Sequence, residues 1–254
     1  MDTSAPEGWQ YSEATAQQYT MYDLHCTLAG EDKLPLILVH GALVSRRYLM
    51  PVAELLARDI QVYVPDLPGH GNSTKPPHAL SVPAQADALH AWILSKGFGQ
   101  VNLLGHSYGC EIVAECTAKY PNLIHNLVLA SPAADPNVKT LLENFLRLTG
   151  DGFMENPLMP FVLLRDLWDM GIIRAFETAH EMMVYKLRSV LPIIKTRTLV
   201  IRGEHDLLVS QKWVEEIAST LTNSTLEVVP NGPHNINFST PEKLAPDLLE
   251  FLYS

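Results

Sequence analysis

Short apolar runs separated by helical-period segments set the rhythm of this chain. Residues 34–39, 101–104 and 127–130 are nearly continuous runs of Leu, Ile and Val. Runs of that kind suit parallel strands covered on both faces. Residues 60–65, 197–201 and 224–229 add three more expected strands. Near the start, Tyr22, Leu24, Cys26 and Leu28 alternate with more polar positions, the pattern of a half-exposed strand. Residues 9–15 are its expected partner. Between the strands, apolar residues recur at helical spacing. Residues 48–57 carry Leu49, Val52, Ala53, Leu55 and Leu56, and residues 81–96 carry Ala86, Leu89, Trp92 and Ile93 before Gly97 closes the segment. Residues 110–118, 211–221 and 241–252 predict further helices. Strand and helix in alternation imply a parallel sheet with helices on both faces.

The rhythm stops between residues 132 and 191, where no strand is expected. Helices are expected at 137–148, 159–168 and 172–190, divided by Pro157, Pro160 and Gly171. We read 132–191 as a helical cap inserted into a core made of 1–131 and 192–254. Its Phe145, Met154, Met159, Phe161, Trp168, Phe176, Met182 and Met183 supply apolar surface, part of it for holding cap to core and part for a cavity. Phe161 and Trp168, with Leu43 from the core, are the expected substrate contacts.

In such sheets ligands bind beyond the carboxyl ends of the strands. The candidate chemistry gathers there. Gly105-His106-Ser107-Tyr108-Gly109 stands between an expected strand and an expected helix, the setting of a sharp turn that exposes a serine. A serine hydroxyl is a poor nucleophile at neutral pH and needs a base, which in turn needs an orienting group. His234, after the last strand, is the candidate base. Asp206 is the preferred orienting acid, and Asp135, after the preceding strand, is its rival. His40, His70 and His106 also follow strands. We read them as structural support rather than as metal ligands, because this chemistry needs no ion. Arg46 and Arg47 read as surface arginines at a helix start rather than as a clamp for a substrate carboxylate.

These segments together resemble the α/β-hydrolase superfamily, in its group of small capped serine hydrolases of carboxylesterase type. The resemblance rests on His40-Gly41, on Asp66-Leu67-Pro68-Gly69-His70-Gly71-Asn72-Ser73, on the serine pentapeptide, on Gly203-Glu204-His205-Asp206 and on Gly232-Pro233-His234. It implies an α/β-hydrolase fold: a mostly parallel sheet of roughly eight strands, helices on both faces and an inserted helical cap. It implies Ser107, Asp206 and His234 as the catalytic triad, in that chain order. It also implies an oxyanion hole from the backbone N–H groups of Tyr108 and Ala42, with Leu43 as second choice to Ala42. The implied activity is hydrolysis of a carboxylic ester of modest size and apolar character through an acyl-enzyme. Relatives with the same residues cleave carbon–carbon bonds of ring-cleavage dienoates, open lactones or transfer acyl groups, and a few serve as small-molecule receptors. The chain departs from the common pattern at Cys110, where many relatives carry a second glycine. We read that thiol as inert packing.

Composition narrows the partners. The formal net charge of −10 argues against nucleic acid, because phosphate binding needs clustered Lys and Arg. The chain has no run of about 18 apolar residues, so no membrane span is expected. It opens without a basic and apolar leader, and it carries three cysteines. Both features suggest reduced thiols and a cytoplasmic setting. The expected partner is a small-molecule substrate, with no cofactor and no metal, on a monomer or homodimer.

Overall fold

A computed structural model describes residues 5–28, 33–133, 135–136 and 155–254. The expected helix at 137–148 and the residues Phe145 and Met154 lie outside the described residues. In chain order the strands are β1 (Gln10–Ala16), β2 (Tyr19–Cys26), β3 (Leu36–Val39), β4 (Val62–Pro65), β5 (Val101–His106), β6 (Ile124–Ala130), β7 (Arg197–Gly203) and β8 (Ser224–Val229). They form one sheet of eight in the order β1-β2-β4-β3-β5-β6-β7-β8. β1 and β2 pair antiparallel, β2 and β4 pair antiparallel, and every other neighbour pair is parallel.

The helices are α1 (Met50–Leu56), α2 (Val82–Ser95), α3 (Tyr108–Lys119), α4 (Met159–Met170), α5 (Ile172–Val184), α6 (Gln211–Thr220), α7 (Ile236–Ser239) and α8 (Pro241–Tyr253). Successive strand side chains point to opposite faces of a sheet. Ile37, Val39, Leu103, Leu127, Leu129 and Val200 therefore pack with α2, α3 and α6 through Leu89, Trp92, Ile112, Trp213 and Ile217. Leu36, Leu38, Leu104, Val128, Leu199 and Ile201 pack on the other side with α1 and α8 through Val52, Leu56, Leu248 and Phe251. Two apolar layers explain why the central strands are apolar throughout. Among the described residues no helix is long and apolar enough to cross a membrane.

Three local expectations change. The helix expected from residue 48 begins with a short turn, Arg46–Leu49, capped by the Ser45 hydroxyl, and α1 follows it. The helix expected over 172–190 stops at Val184, because Tyr185 is extended (ψ 140°). The chain then follows the core through two short turns that bury Leu187, Val190, Leu191 and Ile194. That burial competes with helix continuation and wins, since each buried leucine or isoleucine contributes about 2 kcal/mol. Arg46 and Arg47 are not simple surface residues. Arg46 is buried against Asp66, and Arg47 reaches Asp166 and Asp169 on α4.

Candidate active site

β5 delivers Ser107 to the carboxyl edge of the sheet, and α3 begins at the next residue. Ser107 stands at φ 55°, ψ −123°, a conformation that costs a non-glycine residue of order 1–3 kcal/mol. The surroundings hold it there. Its N–H donates to the Ala130 carbonyl at 3.0 Å, and its own carbonyl accepts from the Cys110 N–H at 3.0 Å. The turn is closed tightly enough that a Cβ on Gly105 would stand 2.5 Å from the Gly109 carbonyl carbon. Glycine is required there for close approach.

The loops after β7 and β8 bring Asp206 and His234 to the same edge. His234 Nε2 is 3.1 Å from Ser107 Oγ, and His234 Nδ1 is 3.0 Å from Asp206 Oδ2. The other oxygen of Asp206 accepts from the N–H groups of Leu208 and Val209, both at 2.9 Å. Burial pushes the Asp206 carboxyl up, but His234 and the Val209 N–H outweigh it and hold the group below the ordinary carboxylate value. The rival acid Asp135 is engaged elsewhere, accepting from the Ser210 N–H at 3.2 Å at the start of α6. Since Asp206 can only accept at Nδ1, that nitrogen carries the hydrogen and Nε2 is the nitrogen that can take one from the serine.

Beside Ser107 runs the loop that follows β3. A Cβ on Gly41 would be 3.4 Å from the serine Cβ. The N–H groups of Ala42, Leu43 and Tyr108 donate to no acceptor among the described residues. Tyr108 is the first residue of α3, so its N–H also carries the positive end of the helix dipole. N–H groups without an acceptor next to a nucleophile are the kind of donor that can hold a developing oxyanion.

A second chain of hydrogen bonds lies under the first. The Gly41 N–H donates to the Tyr48 hydroxyl at 2.8 Å, Tyr48 lies 2.8 Å from His106 Nδ1, and His106 Nε2 lies 2.9 Å from the His234 carbonyl. A carbonyl can only accept, so Nε2 of His106 carries the hydrogen and the Tyr48 O–H donates to Nδ1. Burial lowers the His106 pKa to about 3, which keeps the ring neutral. His40 is equally committed, with Nδ1 at 2.9 Å from the Gly41 carbonyl and Nε2 accepting from the Leu67 N–H at 3.0 Å. The Cys110 thiol donates to the carbonyls of Gly105 and Ala130, and burial pushes its pKa well up.

The structure therefore brings Ser107, His234, Asp206, Ala42, Leu43 and Tyr108 to one edge. It leaves Phe161 and Trp168 on the outer surface, 70% and 88% exposed. α4 turns Met159, Asp166 and Met170 inward and Phe161, Leu164 and Trp168 outward, the two faces of one helix. Those aromatics are not buried lining residues, contrary to expectation. Sequence reasoning missed Tyr48 and Asp166. A signal existed for the second: an aspartate at helical spacing from Met159, Leu163 and Met170 is a charge on an apolar face.

A family model described as the alpha/beta hydrolase family matches residues 36–247. The chain belongs to that family. This hydrolase is 24% identical over 238 residues to the poly(3-hydroxyalkanoate) depolymerase of Ectopseudomonas oleovorans, covering 86% of this chain and 84% of that protein. It is 22% identical to monoacylglycerol lipase ABHD6 of Homo sapiens, covering 87% of this chain and 76% of the lipase. Among solved structures, a thermophilic esterase from Thermogutta terrifontis superposes with a TM-score of 0.76 at 23% identity, over 96% of this chain and 98% of the esterase. The chain is thus a hydrolase of the α/β family, with relatives and structural neighbours of esterase and lipase type.

Proposed function

We propose that this hydrolase cleaves carboxylic esters through an acyl-enzyme on Ser107. The observation that carries the reading is the hydrogen-bonded row Ser107–His234–Asp206. In the first half-reaction Ser107 Oγ bonds to the ester carbonyl carbon as its proton passes to His234 Nε2. The carbonyl oxygen becomes an oxyanion held by the N–H groups of Ala42 and Tyr108. Collapse of that intermediate breaks the bond to the alcohol, which leaves with the proton from His234. Water then gives its proton to the same nitrogen and attacks the acyl carbon, and collapse breaks the bond to Ser107 Oγ, which takes the proton back from His234 as the acid leaves. Asp206 keeps its charge throughout and stabilises the imidazolium.

The named relatives support an ester of apolar character, since one is a depolymerase of a polyester and another a lipase of monoacylglycerols. We assign residues 132–191 the role of a cap, whose helices α4 and α5 join the strand edge that carries Ser107. Ser107→Ala keeps the fold and lowers turnover of p-nitrophenyl butyrate by roughly a million-fold. Retained ester turnover in that variant would overturn the reading. So would negligible ester turnover by the wild type beside rapid cleavage of a vinylogous diketone.

A further inference from the structure

Three donors of the loop after β3 converge on one carboxylate of the helical insertion. Asp166 on α4 is 2% exposed. Its Oδ2 accepts from the Ser45 N–H at 2.7 Å, and its Oδ1 accepts from the Ser45 hydroxyl at 2.9 Å and from the Arg47 guanidinium. Asp169, three residues on along α4, pairs with the same Arg47 at 2.8 Å. Other groups hold the rest of the loop. The Arg46 N–H donates to Asp66 Oδ1 at 2.9 Å, and the Gly41 N–H donates to Tyr48. The donors at positions 41, 45, 46 and 47 are therefore occupied, while the N–H groups of Ala42, Leu43 and Val44 have no acceptor among the described residues. The loop is an arch pinned at both feet with its crown left free beside Ser107.

We propose that Asp166 is a positioning residue for the oxyanion hole, fixing the Ala42–Val44 arch from within the helical insertion. The inference rests on the ester-hydrolase reading. A buried carboxylate is costly unless hydrogen bonds and a partner charge offset its desolvation, and among the described residues that compensation comes from Ser45 and Arg47 at the foot of the arch. The placement of α4 and the geometry of the hole are therefore one mechanical unit. A shift of the helix moves the Ser45 foot, and with it the N–H groups aimed at the developing charge. Misplacement by about 1 Å is enough to cost about 100-fold in rate.

Asp166→Asn preserves shape but turns an NH2 group toward one of the donors. With p-nitrophenyl butyrate we expect kcat to fall about 10- to 100-fold while KM stays within about two-fold. A trifluoromethyl ketone reports on the hole itself. Ser107 Oγ adds to its carbonyl carbon, the serine proton goes to His234, and the carbonyl oxygen becomes the bound oxyanion. Its affinity should fall by the same factor as kcat, while the affinity for an unreactive ether of the same chain length, which presents no carbonyl oxygen to the hole, stays unchanged. Ser45→Ala deletes one donor to Asp166, together with the hydroxyl that accepts from the Arg47 N–H. It should show a smaller loss with the same proportionality, and it stands in if Asp166→Asn fails to fold. Wild-type kcat and ketone affinity in folded Asp166→Asn or Ser45→Ala, with only the melting temperature lowered, would make Asp166 a strut and overturn the proposal. A wild-type enzyme that neither turns over esters nor binds the ketone would instead overturn the ester-hydrolase reading.

Discussion

Tyr48 uses one hydroxyl to join two of the loops on which the candidate site depends. It accepts from the Gly41 N–H and donates to His106, and His106 passes the connection on to the His234 backbone. All of these groups are buried. In Tyr48→Phe the Gly41 N–H and His106 Nδ1 both lose their partner, and each buried unpaired group costs about 1–3 kcal/mol. Urea unfolding should register that loss, and kcat should fall more than KM rises, because Gly41 borders Ser107 and His106 holds His234. A Tyr48→Phe enzyme equal to wild type in both measurements would show the connection to be idle. Nothing in the sequence distinguishes Tyr48 from any aromatic at a helix start, since Gly41 is a loop glycine 7 residues back and His106 is 58 residues away at the end of a strand. Ser107, Asp206 and His234 were legible for the opposite reason. Each sits just beyond a strand whose apolar run marks its end, and sheet topology then carries all three to one edge.

At the scale of elements, the turn between β5 and α3 is set by how closely α3 meets its neighbours. A Cβ on Gly109 would stand 2.4 Å from the Val39 carbonyl oxygen and 2.8 Å from that of His40. Both are backbone atoms at the end of β3, so neither can swing aside. Gly109→Ala should push α3 away from β3 at a cost of about 1–3 kcal/mol. It should also separate Ser107 from the Ala42 arch, with kcat reduced about 100-fold. A crystal structure of the variant with α3 unmoved, or full activity, would refute this account. The sheet was readable because its central strands are buried on both faces and most of its helices on only one. The insertion was harder, because α4 carries apolar side chains on both faces. Met159, Leu163 and Met170 look inward and Phe161, Leu164 and Trp168 outward, and period alone does not say which set meets the core. The outer set continues into Ile172, Ile173 and Phe176 of α5, an exposed apolar stripe of the kind that hydrophobicity alone assigns to an interior.

At the scale of the whole molecule, the buried carboxyl of Glu111 works against stability. Glu111 lies inside α3, fully buried, and among the described residues neither carboxyl oxygen has a hydrogen-bond partner. Burial alone pushes its pKa well above the ordinary glutamate value. In the unfolded chain the group ionises near its usual value of about 4.3. Below that pH both states hold the proton, and the residue contributes no pH dependence. Above it the unfolded state releases the proton while the folded state keeps it, so the folded protein loses stability as pH rises toward its own, higher pKa. The paired Asp206 has the opposite sign, since its lowered folded pKa adds stability above the usual aspartate value and loses it in acid. Glu111→Gln keeps the size and removes only the titration. Its melting temperature should match wild type near pH 4 and exceed it by a margin that widens steadily toward pH 8. A margin that is constant with pH would mean that Glu111 is ionised in the folded protein and compensated by a partner. The sequence hides this because a glutamate four residues past the serine reads as the polar face of a helix. In the fold that face is closed over by Tyr108 and by the segment around Tyr185, which leaves the carboxyl nothing to bind and its proton as the cheaper solution.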